Sequence, residues 1–289
     1  MGKQQKGRTW WVSLIAVFVA LLLYFIIFES SPRVEKPFVV KEPKTVKTVV
    51  PGLEDNGTTD EKIGSRQADE SREHSLSEAE AFCTRIKKEM SEFFRYLDSR
   101  RYVQAMHLQG GSYKRFKQVL RSLSAHPPIP AGEGVDPRII IGNLYHFYRV
   151  LERKDLRLIK EVLANEQVSM EINMEMFYRW LSSDKRCPDP EGLRPTREIL
   201  YHYAGFFLNT TGGRAYLFRR TTAARLLTSY YCLLIVHDAD RKGANNYGID
   251  ILPFIQPLKR DISLYPDLLL RDDYIARLNQ LEAYYSKRR

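Results

Sequence analysis

The longest apolar run in the chain lies near its N-terminus, at residues 10–28, where nineteen successive residues carry no charge. A helix needs about 20 apolar residues to cross a bilayer. Trp10 and Trp11 at one end of the run suit the interfacial layer of a membrane. The run also exceeds the roughly 7 to 15 apolar residues of a signal peptide, and no A-x-A cleavage site follows it. The pattern therefore predicts an uncleaved transmembrane helix at 10–28.

Charges on either side of this run predict its orientation. Lys3, Lys6 and Arg8 precede it, and Glu29 follows it at once. Because basic flanks stay on the cytoplasmic side of a membrane, we expect residues 1–9 to form a cytoplasmic tail. The C-terminal domain is then expected outside the cell membrane, on its periplasmic or extracellular side.

Residues 29–76 have a different composition, with four prolines among charged residues and few large apolar side chains. Such a segment lacks the apolar surface that folding requires, so it is predicted to be a disordered linker. The capping box Ser77-x-x-Glu80 follows directly and predicts that a helix begins at Ser77.

From residue 77 onward, apolar residues recur at the spacing of one helix face, and the alternation typical of strands is nearly absent. Asp136-Pro137 is typical of a helix N-terminus, and Pro253 with Pro257 predicts a helix start followed by a kink, or two short helices. The sequence thus predicts an all-α domain at 77–289, with about eight to ten helices around one core. The main periodic sets are Phe82, Ile86, Met90, Phe93 and Leu97; Phe116, Val119, Leu120 and Leu123; Ile140, Leu144, Phe147 and Leu151; Met170, Met174, Phe177 and Leu181; and Tyr274, Leu278, Leu281 and Tyr285.

The net charge of +10 lies mainly in the predicted helical domain, because residues 29–78 contain eleven acidic and eight basic side chains. A basic surface attracts anionic partners. Outside the cytoplasm these would be lipid headgroups or envelope polymers, and nucleic acid is not expected. The basic groups Lys114, Arg115, Lys117 and Arg121 form one candidate surface, whose alternative is an ordinary solvated helix face.

Cys83, Cys187 and Cys232 are too few and too scattered for a disulfide framework or a cysteine metal site. In an oxidising compartment they allow one disulfide with one thiol left over. The sequence leaves open whether Cys187 takes part in a disulfide.

The apolar segment 230–240 ends in Asp238-x-Asp240, which resembles the metal-binding motif of many glycosyltransferases. Two carboxylates at a strand end can hold a divalent ion that bridges phosphate oxygens. In the alternative interpretation the segment is a buried helix, with Leu226, Tyr230, Leu233 and His237 on one face. That interpretation fits the helical pattern that precedes the motif.

Two further patterns suggest metal ligands less strongly. Asp238, Asp240, Gly243 and Asn246 partly match a calcium-binding loop, but Lys242 occupies a ligand position and would repel the ion. His146 and His202, each in an aromatic helical segment, could meet around a metal, whereas such histidines are more often core residues.

These observations favour a non-catalytic, membrane-anchored binding or scaffold module whose partner is a protein or an anionic envelope component. No catalytic residue is assigned, and no cofactor or metal is expected. The alternative hypothesis is a membrane-anchored, metal-dependent glycosyltransferase that uses Asp238 and Asp240. The sequence identifies neither the partner nor the oligomeric state.

Overall fold

The computed structural model describes residues 65–129, 136–183, 187–210 and 223–287, with side chains described from Glu78 onward. All regular secondary structure in these ranges is helical, which confirms the predicted all-α class. The predicted tail, transmembrane helix and most of the linker lie outside the described residues. Ten helices are described: α1 Ser65–Ser99, α2 Arg101–Gln104, α3 Gly111–Ala125, α4 Pro137–Val150, α5 Arg153–Asn165, α6 Met170–Ser182, α7 Arg197–Thr210, α8 Ala223–Arg241, α9 Leu252–Ser263 and α10 Arg271–Ser286.

Within the described ranges, none of the helices combines the length and the apolar character that a membrane span requires.

Helix α1 begins at Ser65 rather than at Ser77, so the helix start predicted from the capping box is wrong. Residues 65–76, which the sequence assigned to the linker, are helical. Apart from Ala68 and Leu76 their sequence is polar, so no apolar period indicates a helix there. It consists largely of residues with good helix propensity, such as Arg, Gln, Ala and Glu.

The larger apolar cluster surrounds α8, which packs against α6, α7 and α9. This helix is buried on nearly every side, and such a helix has little amphipathic pattern. The buried-helix interpretation of segment 230–240 is therefore confirmed. The predicted face of α10 also points into this cluster, whose central side chains include Leu226, Leu227, Leu233, Val236, Ile255, Leu278 and Leu281.

A second apolar cluster joins α1, α2 and α6. Its buried side chains are Ile86, Met90, Phe94, Leu97, Val103 and Met176. Helix α6 contributes Met170 to the first cluster and Met176 to the second. The expected single core is thus divided into two clusters that share α6.

Helix α9 is continuous from Leu252 to Ser263, so the alternative of two short helices is wrong. Pro253 lies in its first turn, where the missing N–H has no helical acceptor to lose. Pro257 lies inside the helix. The buried residues Ile255, Leu258 and Ile262 hold this helix against the larger cluster.

A disulfide links Cys83 of α1 to Cys187 in the loop after α6, with the Cα atoms 5.4 Å apart. The loop is organised by Asp189, whose carboxylate accepts hydrogen bonds from the backbone N–H groups of Leu193 and Arg194 at 3.1 and 2.8 Å. Arg194 in turn donates to the Cys187 carbonyl oxygen. These bonds hold Cys187 beside α1. The remaining cysteine, Cys232, is free and buried, and burial raises the pKa of its thiol to about 12.

Candidate functional site

The Asp238-x-Asp240 pair lies in the last turn of a helix, α8, and not at a strand end. Asp238 is exposed and forms an ion pair with Lys242 at 2.5 Å. Asp240 accepts a hydrogen bond from the Tyr285 hydroxyl at 3.2 Å. That hydroxyl also lies 3.2 Å from Nδ1 of the buried His237. The two carboxylates therefore have different protein partners, unlike the pair of metal-facing oxygens that the glycosyltransferase hypothesis expects.

His237 is a titratable side chain at the junction where α8 contacts α10. The Tyr285 hydroxyl donates to Asp240, and in the tautomer with a proton on Nδ1 the His237 ring donates to the same hydroxyl. Burial lowers the pKa of His237 to about 4, and the positive charges of Arg277 and Arg241 act in the same direction. At neutral pH the imidazole is thus neutral, and its hydrogen bond helps to join the two helices.

The loop after α8 does not have the form of a calcium-binding loop. Gly243, with φ of +65°, follows the end of the helix in the left-handed conformation typical of a C-terminal cap. The side chain of Asn245 then accepts from the Ile249 N–H at 2.9 Å and donates to the Ile249 carbonyl oxygen at 3.1 Å. These bonds close the loop on itself. Across the described ranges, no group of three or more His, Cys, Asp or Glu side chains is placed to hold a metal ion.

His146 and His202 contact different neighbours. Nε2 of His146 lies 3.2 Å from the carbonyl oxygen of His126, and the two rings lie 6.4 Å apart between centroids. The ring of His202 packs edge-on against Tyr247 at 5.7 Å. Burial lowers the pKa of His202, while the charge of Glu198 opposes that shift. The structure does not bring the two histidines together as a pair of ligands.

The basic side chains predicted on α3 are largely used in ion pairs with other elements. Arg115 contacts the buried Asp155 and the exposed Glu152, both at the start of α5. Lys117 forms an ion pair with Glu191 at 2.8 Å, and Arg121 lies 3.8 Å from the same carboxylate. This candidate anionic-ligand surface is therefore mainly a set of contacts that fix α3 within the domain.

Two buried carboxylates that the sequence analysis did not single out also serve helix packing. Glu166, at the end of α5, accepts hydrogen bonds from the hydroxyls of Tyr96 and Tyr102 at 2.7 and 2.8 Å. It also accepts one from Nε of Arg100 at 3.1 Å. Glu171, in α6, accepts from two backbone N–H groups at the start of α10, both at 2.7 Å. Both carboxylates accept charge-assisted hydrogen bonds that join elements distant in sequence.

A cleft of about 300 Å³ adjoins the N-terminus of α3. Its acidic group, Asp98, accepts a hydrogen bond from the Ser112 N–H at 2.7 Å and so caps α3. Gly111 has φ of +80°, and a Cβ there would lie 2.8 Å from a carboxylate oxygen of Asp98. Glycine at this position is therefore required by the cap. The cleft is lined by Asp98, Val103, Gln104, His107, Leu108 and Gly111.

The clearest surface feature is the outward side of α4, called here the α4 face and defined by Arg138, Ile141, Tyr145, Tyr148 and Arg149. Ile141, Tyr145 and Tyr148 lie one turn apart along the helix and are 64%, 71% and 46% exposed. Large side chains this exposed are normally scattered singly over a protein surface. Here three of them form a stripe on one side of one helix, while the other side packs against α3 and α7.

The charge on the α4 face is positive. Arg138 and Arg149 are both exposed and flank the stripe. Helix α4 contains no Asp or Glu between residues 137 and 150. The next helix continues the positive charge with the exposed residues Arg153, Lys154 and Arg157. The α4 face is therefore both aromatic and basic, a combination absent from the sets of residues that the sequence analysis proposed.

A smaller group of exposed apolar residues lies where α6 and α10 begin. Val168 and Leu269 are strongly exposed, and Ile172 and Leu270 are partly exposed. The carboxylate of Glu171 brings these segments together by accepting both backbone hydrogen bonds. Unlike the α4 face, this group has no flanking pair of exposed arginines.

Comparison of the chain with protein-family models, with curated protein sequences and with solved structures gives no match.

Proposed function

We propose that the chain is a single-pass, membrane-anchored protein whose helical domain lies outside the cytoplasm and acts as a non-catalytic binding module. The partner is a protein or an anionic component of the envelope. The anchor is the apolar run at 10–28, and its basic N-terminal flank favours a cytoplasmic N-terminus.

The disulfide supports the extracytoplasmic placement of the domain. Cys83 and Cys187 are separated by 104 residues, yet their Cα atoms lie within the distance range of a disulfide. Disulfides persist in oxidising compartments and are rare in the cytosol of most organisms. A domain with such a bond is therefore better suited to the outer side of the membrane.

The observation that carries the binding role is the α4 face. Aromatic residues and arginine are enriched where proteins bind partners, because they provide large contact areas together with hydrogen-bonding groups. The side chains suggested for catalysis or metal binding are instead engaged elsewhere: Asp238 with Lys242, and Asp240 with Tyr285. The geometry of the described residues thus favours recognition through the α4 face.

Site-specific photocrosslinking in intact cells tests this proposal. A photoreactive phenylalanine analogue replaces Tyr145 in the full chain, and the matched control carries it at Tyr247. Tyr247 is 50% exposed but lies in the loop after α8. We expect light-dependent adducts from position 145 and none from position 247. Equal adducts at both positions, or none at position 145, would contradict a binding role for the α4 face.

A cysteine-accessibility experiment tests the topology separately. In intact cells, non-reduced wild-type chain should resist thiol labelling at Cys83 and Cys187, and an impermeant reductant should make both reactive. If only a membrane-permeant reductant has this effect, the domain lies inside and the proposed topology is wrong.

A further inference from the structure

We infer that the α4 face binds the anionic lipid surface of the same bilayer that anchors the chain. This inference rests on the proposed anchoring, and it names the partner of the proposed binding module. It follows from the chemistry of the five residues of the α4 face and from the length of chain between anchor and domain.

The side chains of the α4 face match the layers of a membrane interface. Tyrosine rings are enriched at the level of the headgroups, where the ring is partly desolvated and the hydroxyl remains hydrated. The transfer of an exposed aliphatic side chain such as Ile141 from water to the acyl-chain boundary is favourable. Because Ile141, Tyr145 and Tyr148 share one side of α4, all three can enter the interface while the helix lies parallel to it.

The positive charges of the α4 face favour an anionic surface as its binding partner. Arg138 and Arg149 stand at opposite ends of the stripe, and neither has an ion-pair partner among the described residues. The nearest carboxylates in sequence after α4 are already engaged, because Glu152 and Asp155 both contact Arg115. Guanidinium groups attract acidic headgroups, and each basic residue near such a surface changes the affinity about fivefold.

The bilayer is also the surface always within reach of the α4 face. Only 36 residues separate Phe28, the end of the predicted span, from Ser65, where α1 begins. Even a fully extended chain of this length spans at most roughly 130 Å. A tethered module meets the membrane at a high effective concentration, so contacts too weak for a free protein become significant. This argument favours lipid over a partner that must first diffuse to the domain.

Hydroxyl-radical footprinting of the full chain in lipid nanodiscs tests the inference, because radical oxidation reports the solvent exposure of individual tyrosines. One set of discs contains phosphatidylcholine alone, and the other also contains about one third phosphatidylglycerol. We expect oxidation of Tyr145 and Tyr148 to fall at least threefold in the anionic discs. Oxidation of Tyr247, on a different element, should remain unchanged. High salt should restore the oxidation of the two α4 tyrosines, because it screens exposed charges.

A pair of charge variants provides the matched control. Arg138→Gln with Arg149→Gln removes the two arginines of the α4 face and should lower the ratio of bound to unbound domain about 25-fold, returning Tyr145 oxidation to its level in phosphatidylcholine. Arg85→Gln with Arg95→Gln changes the net charge equally on the exposed side of α1. This second variant should keep the protection. Equal loss in both variants would overturn binding through the α4 face.

The other outcomes separate this inference from the proposed function. If the chain enters the discs but Tyr145 is oxidised equally in both lipid mixtures, the lipid inference is wrong and the anchored module stands. Protection that requires two chains per disc, whatever the lipid, would make the α4 face an interface between copies and also overturn the inference. A chain that does not enter the discs would refute the anchor, and both proposals would then fall together.

Discussion

Replacing Cys83 and Cys187 by serine should lower the stability of the helical domain substantially. The disulfide connects residues 104 positions apart, and the enclosed chain includes α2 to α6 and most of the second apolar cluster. In the chain-entropy model, a link that closes about 100 residues contributes roughly 4.7 kcal/mol, whereas measured effects are typically about 2 to 4 kcal/mol. We expect the double variant to lose about 3 to 4 kcal/mol, which corresponds to a decrease of roughly 10 °C in Tm.

Urea unfolding of the full chain in detergent micelles, followed by circular dichroism with and without reductant, measures this loss. Reductant should shift the wild-type curve onto that of the double variant and leave the double variant unchanged. Cys232→Ala is the matched control. This variant should lose some stability through lost packing, but it should keep the full response to reductant because Cys232 is free.

Two results would refute this reasoning. The first is a double variant that unfolds at the same urea concentration as the oxidised wild type. The second comes from counting thiols in the non-reduced, denatured wild type. One reactive thiol agrees with the structure, whereas three would mean that Cys83 and Cys187 are not bonded.

Two further predictions concern the junction between α8 and α10. The pKa of His237 is lowered from its ordinary value of 6.5 to about 4, so between these values the unfolded chain binds a proton that the folded chain excludes. Stability should therefore fall by about 1 to 3 kcal/mol as the pH falls from 6.5 to 4, and His237→Phe should flatten this part of a stability-versus-pH curve. Asp240→Ala should lower the free energy of unfolding by about 1 to 2 kcal/mol, because it removes the carboxylate that accepts the hydrogen bond of the Tyr285 hydroxyl. Asp238→Ala should lower the free energy of unfolding by less than about 0.5 kcal/mol, because it breaks only an exposed ion pair with Lys242. Thermal unfolding of both variants measures the two losses of stability. Equal losses would contradict the separate roles of the two carboxylates.

Local sequence patterns predicted much of the fold. The side chain of Asp136 accepts a hydrogen bond from the Arg138 N–H at 2.8 Å, so the Asp-Pro signal marks the start of α4 correctly. The predicted face of α10 is buried at Tyr274, Leu278 and Leu281. These features depend on neighbours three or four residues apart, which a single sequence displays directly.

Features that depend on distant residues were not predictable in the same way. Nothing near Cys187 indicates that Cys83 is its partner, because the pairing follows from how α1 packs against α6. The basic run on α3 likewise suggests a surface for anions until Asp155 and Glu191 are placed beside it. The sequence shows how many side chains of one charge lie close together along the chain. The structure determines which of them remain available for a ligand.

Helix α4 has a second apolar stripe that the prediction of its packed face did not include. Its inward stripe was recognised because it has the spacing of a packed helix face. A second stripe, offset by one residue, begins at Ile141 and continues through Tyr145 and Tyr148. Apolar residues on both sides of a helix are typical of one that is covered on both sides. In the described residues α4 packs against α3 and α7, and Ile141, Tyr145 and Tyr148 remain exposed. We propose that the bilayer, to which the predicted anchor tethers the chain, covers this second stripe.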